Sequence, residues 1–157
     1  MAENAPPPHG IHVHAAIHIQ AQPEVVAAIY CDVDKWGMTF PATIERARIV
    51  STNGTRQQVE VTHKMEGIVP NTLIRCSPTQ LWLEESKHKF SAGFLNEFKA
   101  APDGGTDYEI TAYVRPRGAY RLLEPFLKAY VRKRALAQMR AYVLEPLKAA
   151  AERTRDE

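Results

Sequence analysis

Residues 11–30 read IHVHAAIHIQAQPEVVAAIY, and a change of period inside this stretch decides the architecture. Ile11, Val13, Ala15, Ile17 and Ile19 alternate with His12, His14, Ala16, His18 and Gln20. A period of two makes a half-buried strand with one apolar face. At Pro23 the alternation stops. Proline suits a first helical turn, Glu24 complements the helix dipole there, and VVAAIY supplies the apolar block of a short helix. Working outward, DVDKWGMTF (32–40) predicts a second short helix or tight turn, ended by Pro41.

From Thr43 the text stays strand-like to residue 116. ATIERARIV, a turn at Asn53-Gly54, and RQQVEVTHKM read as a hairpin, because Asn-Gly accepts the positive φ angles of a tight turn. IVPNTLIRCS, QLWLEES and HKFSAGFLNEFKA continue the meander, with Pro70 and Pro78 at edges or turns. Asp103-Gly104-Gly105 makes another turn, and TDYEITAYVRP is the last strand, with Tyr108, Ile110, Ala112 and Val114 on one face.

After Gly118 the period becomes helical. Leu123, Phe126, Leu127 and Tyr130 begin a stripe that Leu136, Met139, Val143 and Leu147 continue. Pro125 fits the first turn of this helix, whereas Pro146 kinks it or splits off its end. The fold class is α+β: about seven antiparallel strands curve around one long C-terminal helix, with two short helices after the first strand. Such a grip leaves an internal pocket unless large side chains fill it.

The length of 157 residues, with 45% apolar and 24% charged residues, predicts one domain and excludes disordered or collagen-like classes. The domain is read over 11–152, with a flexible leader at 1–10 and a tail at 153–157. Two cysteines, Cys31 and Cys76, do not make a disulfide scaffold. With no signal pattern in MAENAPPPHG, they point to the cytoplasm. No apolar run is long enough for integral membrane insertion. No basic–aromatic motif supports nucleic-acid binding, and no nucleophile or phosphate-loop signature appears.

Two polar residues on strands draw attention. Arg75 lies among Leu73, Ile74 and Cys76, so it snorkels outward, pairs, or serves a ligand with its five donors. His63 shares parity with Val59, Val61 and Met65. It is either a general base near a pocket arginine or simply a strand-end residue. His12, His14 and His18 share a strand face, but no cysteine or carboxylate set completes a metal site, and none is expected. Tyr30, Trp36, Phe40, Met65, Trp82, Phe90, Phe94, Phe98, Phe126 and Tyr130 are candidate substrate contacts; ordinary core is the competing reading of the aromatics.

IHIQAQPEVVAAIY, DVDKWGMTFPATIERARIV and the ending LEPLKAAAE resemble the START-like helix-grip (SRPBCC) superfamily across residues 11–152. Within it, the DxxKW…FP…A.IV pattern is most similar to bacterial polyketide aromatase/cyclases. The resemblance implies a pocket arginine on a central strand, which falls on Arg75 or one residue off at Cys76. It also implies, in some relatives, a histidine on the last strand, where this chain has Ala112.

Three functional expectations follow. The first is a cofactor-independent cyclase that folds a poly-β-keto chain and promotes aldol closure and dehydration. Arg75 would stabilise enolate oxygen and His63 or Tyr113 would move protons. The second is a non-catalytic carrier or sensor of a hydrophobic small molecule such as a lipid, quinone or polyketide. The third is an interaction protein using its basic helix. Residues 117–157 carry ten Lys and Arg against five Asp and Glu, whereas residues 1–116 carry ten against thirteen. The +5 helical end on a −3 body points to an acidic acyl carrier protein or an anionic surface as partner.

Overall fold

The computed structural model describes residues 10–87 and 89–156; the leader before Gly10, His88, and Glu157 at the end of the stretch read as a tail lie outside the described residues. Seven strands form one antiparallel sheet: β1 (Ile11–Ile19), β2 (Ile44–Asn53), β3 (Arg56–His63), β4 (Gly67–Ser77), β5 (Gln80–Ser86), β6 (Phe90–Ala100) and β7 (Thr106–Pro116). Their order is β1-β7-β6-β5-β4-β3-β2, so the first strand closes against the last while the rest meander. Helix α1 (Pro23–Cys31), a 3₁₀ turn (Val33–Lys35) and α2 (Trp36–Thr39) fill the connection between β1 and β2. Gly54 and Gly104 take φ angles of +59° and +84°, as the two expected turns require.

Bulges help curve the sheet. Register slips occur between Ile44 and Arg46, between Ile49 and Ser51, and between Arg75 and Ser77. Each extra residue bends its strand and raises the local twist. The curved sheet grips the C-terminal helix, as the sequence predicts.

That helix has two α-helical parts, α3 (Glu124–Met139) and α4 (Glu145–Arg155), joined by a π-helical segment at Arg140–Leu144. Pro125 sits in a first turn, where a missing N–H costs nothing, whereas Pro146 comes just after the π-helical segment in a continuous helical run, where its missing N–H leaves a preceding carbonyl without that partner. Even so, Pro146 marks a division rather than a break. The chain stays helical into the stretch read as a tail.

The apolar stripe is only half used. Met139, Leu144, Leu147 and Ala151 are buried, but Phe126 is 83% exposed and Tyr130 60% exposed. Length explains this. The helical stretch from Glu124 to Arg155 is 32 residues, or about 48 Å at 1.5 Å per residue. An 11-residue strand spans about 36 Å. About eight residues of helix overhang, and the first turns of α3 lie in that excess. Packing of α3 is mainly on β1, and α4 packs on α1, α2 and β1. Among the described residues, no helix is long and apolar enough to cross a membrane.

Candidate functional site

Cross-strand register assigns every strand residue to a face, because directly opposed residues point the same way. Leu73, Leu81, Val59, Val61, Tyr108, Ile110 and Ala112 all belong to the buried core. They define the concave face. Asn71, Leu73 and Arg75 therefore face inward on β4, opposite Glu85, Leu83 and Leu81 of β5. On β6, Ala92, Phe94, Asn96 and Phe98 share that face, through pairing with Val114, Ala112, Ile110 and Tyr108.

At one end of this wall Arg75, itself exposed, reaches α1. Its Nη2 donates to Cys31 Sγ at 3.3 Å, the one side-chain hydrogen bond recorded for it among the described residues. Thiol sulfur is a weak acceptor, so most of the guanidinium fork remains able to hold oxygen. Burial pushes the Cys31 thiol up, while the charge and hydrogen bond of Arg75 pull it down; burial wins and the group is a neutral thiol. Beside this pair, Asn96 is fully buried and accepts from Tyr108 Oη at 2.5 Å. Burial holds the hydroxyls of Tyr108 and Tyr30 well above the usual phenol range, with Asn96 also bonding Tyr30.

His63 stands elsewhere. It faces inward, but it pairs with Gly67, eight residues along β4 from Arg75. At about 3.3 Å per residue the two side chains root about 26 Å apart along the strand. Histidine and arginine are not an acid–base pair in this fold. The neighbours of His63 are instead Glu85, Lys87 and Glu66, with Lys87 Nζ 2.6 Å from Glu66 and 3.5 Å from Glu85. Burial lowers the His63 pKa, and its Nε2 is buried with no hydrogen-bond partner. Burial also pulls Lys87 down, but the two glutamates more than offset it and keep its ammonium charged.

Several expected site residues lie off this wall. Tyr113 has the opposite parity to Tyr108 and Ala112, so it projects from the convex face. There it meets His12 at 4.7 Å between ring centroids and Trp82 at 5.7 Å. Trp82 is likewise convex, between Leu81 and Leu83, and lies over Gly93, where any Cβ would overlap its ring. Glycine thus creates the bay that buries an outward tryptophan. Tyr30, Trp36, Phe40 and Phe98 are core, packed edge to face at 6.0 to 6.3 Å. Met65, at the β3–β4 turn, is 93% exposed, and Phe126 and Tyr130 sit on the helical overhang. Phe94 is half-buried on the concave wall, and Phe90 shares its parity while packing on Tyr120 at 5.9 Å.

The polar residues that do line the wall with Arg75 include Asn71, Glu85 and Cys31, none of which has a motif. Parity with Arg75 was the available signal for Asn71; for Glu85 the signal was parity with Leu81 and Leu83. His14 and His18 face outward, toward Thr111 and toward Asp103 and Asp107. A hollow of about 520 Å³ lies at the start of α1, bounded by Pro23, Glu24, Thr79, Gln80, Glu97 and Lys99. Its charged rim opens to solvent and touches neither Arg75 nor His63. The concave wall is the other candidate: Arg75 stands at its exposed end, on the face that also carries Leu73, Leu81, Leu83 and Phe94.

Comparison with solved structures gives a consistent fold. A protein of Thermus thermophilus aligns with a TM-score of 0.72 at 16% identity, over 91% of this chain and 98% of that one. The ZhuI aromatase/cyclase from a Streptomyces species aligns at 0.71 and 17% identity, over 92% and 95%. A START superfamily protein from Mycobacterium smegmatis aligns at 0.69 and 12%, over 92% and 99%. No protein-family model and no curated protein sequence matches the chain.

Proposed function

We propose, from the START-like helix-grip fold of this chain, that its concave wall binds a hydrophobic, oxygen-bearing molecule of the poly-β-keto class and directs its aldol cyclisation and dehydration. The observation that carries this reading is Arg75: a guanidinium on an apolar wall whose recorded partner is a neutral thiol. Its free donors suit a carbonyl oxygen and suit it better as negative charge develops. The enol carbon of the bound chain attacks a ketone carbon of the same chain. Arg75 holds the ketone oxygen as it gains charge, and that oxygen takes up the proton the enol O–H releases, giving the aldol alcohol. Loss of this hydroxyl together with a proton from the neighbouring carbon releases one water and leaves the ring's double bond. Leu73, Leu83 and Phe94 restrict the chain to one folded geometry, which raises the rate of one closure over others. The fold shared with the ZhuI aromatase/cyclase supports this reading.

A substrate tethered to an acidic acyl carrier protein has a docking place on α3. Arg132, Lys133 and Arg134 are all exposed there. A second reading, a carrier without turnover, is favoured by one arrangement. Neither His63, about 26 Å along the strand, nor Tyr113, on the convex face, reaches the Arg75 end of the wall.

The two readings separate in a reconstituted synthase supplying a poly-β-keto chain. Catalysis predicts that the wild-type chain redirects the product mixture toward one ring pattern and that Arg75→Ala restores the uncatalysed mixture. A product distribution unaffected by wild-type protein, with the chain still bound, would establish the carrier.

A further inference from the structure

Two asparagines on the concave wall are built alike and end differently. Asn96 Nδ2 donates to Phe94 O at 3.2 Å, and Asn71 Nδ2 donates to Val69 O at 3.3 Å. Each amide nitrogen is tied to the carbonyl two residues back. A carbonyl can only accept, so this contact fixes which end of each amide is oxygen. The oxygen of Asn96 is then taken by a phenol, the hydroxyl of Tyr108. The oxygen of Asn71 is buried and has no partner, in a residue only 4% exposed.

A buried amide oxygen left unbonded costs stability, and native structures keep few such groups. Its position gives a reason to keep this one. Asn71 faces inward four residues from Arg75 on the same strand, about 13 Å away, with Leu73 between them. Leu83, opposite Leu73, and Phe94 next to it continue the apolar strip.

We propose that Asn71 is a recognition residue for a hydroxyl on the ligand, supplying to the ligand what Asn96 supplies to Tyr108. The inference rests on reading the Arg75 wall as the ligand wall, and it narrows the class of ligand. The molecule is elongated and flat. It carries an acceptor, a carbonyl, at the Arg75 end and a donor, a phenolic or enolic hydroxyl, near Asn71. An apolar ring system covers Leu73, Leu83 and Phe94 between them. A fully etherified or purely aliphatic molecule leaves the Asn71 oxygen unpaired and is disfavoured. Asn71 acts by holding the ligand, with no bond made or broken at its side chain.

The test uses the full-length chain and two matched probes, 4′-hydroxyflavone and 4′-methoxyflavone, titrated calorimetrically. Wild-type protein should prefer the hydroxyl probe by about tenfold, the value of one well-made buried hydrogen bond. Asn71→Leu should abolish that preference, Asn71→Asp should retain it, and Arg75→Ala should weaken both probes alike. Thermal unfolding separates a structural role. Asn71→Leu removes the unpaired acceptor together with the Nδ2 hydrogen bond to Val69 O, two effects of opposite sign, so N71L should keep a Tm close to that of wild type. A large loss of Tm in N71L, or equal binding of the probes to wild type with Arg75→Ala still weakening both, would overturn the Asn71 assignment and leave the Arg75 reading standing. No binding of either probe to wild type would overturn both.

Discussion

Arg75 donates to the sulfur of Cys31 across 3.3 Å, joining the inward face of β4 to the last residue of α1. This contact marks the end of the concave wall at which a cation and an unpaired set of donors meet apolar side chains. It also makes the thiol a reporter on the arginine.

Cys31 alkylation should therefore respond to Arg75. Burial raises the thiol above its ordinary value of 9.0, and the arginine opposes that rise. Removing the cation in Arg75→Ala removes the opposition, so the thiolate forms at higher pH and alkylation by iodoacetamide slows at any pH below it. A pH–rate profile for Cys31, measured in a Cys76→Ser background, should shift to higher pH in the variant. An unchanged or downward-shifted profile would contradict the contact.

Asn96 should be costly to remove. It lies fully buried between two phenols, and Asn96→Ala strands the hydroxyls of Tyr108 and Tyr30 without an acceptor. At about 1–3 kcal/mol for each buried group left unsatisfied, the variant should lose about 3 kcal/mol in urea unfolding. Tyr108→Phe, which removes one donor and leaves Asn96 its bond to Tyr30, should lose about 1 kcal/mol. Similar losses for the two variants would contradict the asymmetry.

The sequence carried the topology well because it depends on local signals. Alternation in 11–19, the Asn53-Gly54 and Asp103-Gly104-Gly105 turns, and helical spacing after Gly118 each announce themselves in a short window. The faces of the strands were legible too. Parity in TDYEITAYVRP already opposed Tyr113 to Tyr108, and parity in QLWLEES opposed Trp82 to Leu81 and Leu83. Residue type misled there: both aromatics suit a pocket, but Gly93 on a neighbouring strand provides an outer bay that no local window reveals. The separation of His63 from Arg75 follows from hairpin register, a relation between strands. Phe126 and Tyr130 show the limit of periodicity. A stripe announces a helix face, but the length of the sheet beneath decides whether that face is covered.

His18 should fasten the end of β1 to the β6–β7 turn in a pH-dependent way. Its Nδ1 lies 2.7 Å from Asp107 and its Nε2 lies 2.8 Å from Asp103. The hydrogen bond to Asp107 leads in raising the imidazole above 6.5, desolvation opposes it, and Asp103 adds to the rise. Asp103 is held below its ordinary 3.8, first by the Gly105 N–H and then by Gln20, with His18 contributing. A raised histidine stabilises fully below 6.5 and loses that contribution as pH climbs through its folded value. A lowered aspartate stabilises above 3.8 and loses its contribution as pH falls through its folded value. The deficit of His18→Gln relative to wild type should be widest between these limits and narrow in alkali. A deficit that grows with rising pH would contradict this clip.

The central claim is that Arg75 on the concave wall holds an oxygen-bearing hydrophobic ligand, and native mass spectrometry of the protein purified from a polyketide-producing host tests it most directly. Wild-type protein should carry a bound small molecule of defined mass, released on denaturation and rich in ketone or hydroxyl oxygen. Arg75→Ala, folded by circular dichroism, should emerge without it. Equal retention of the same molecule by both proteins would contradict the claim.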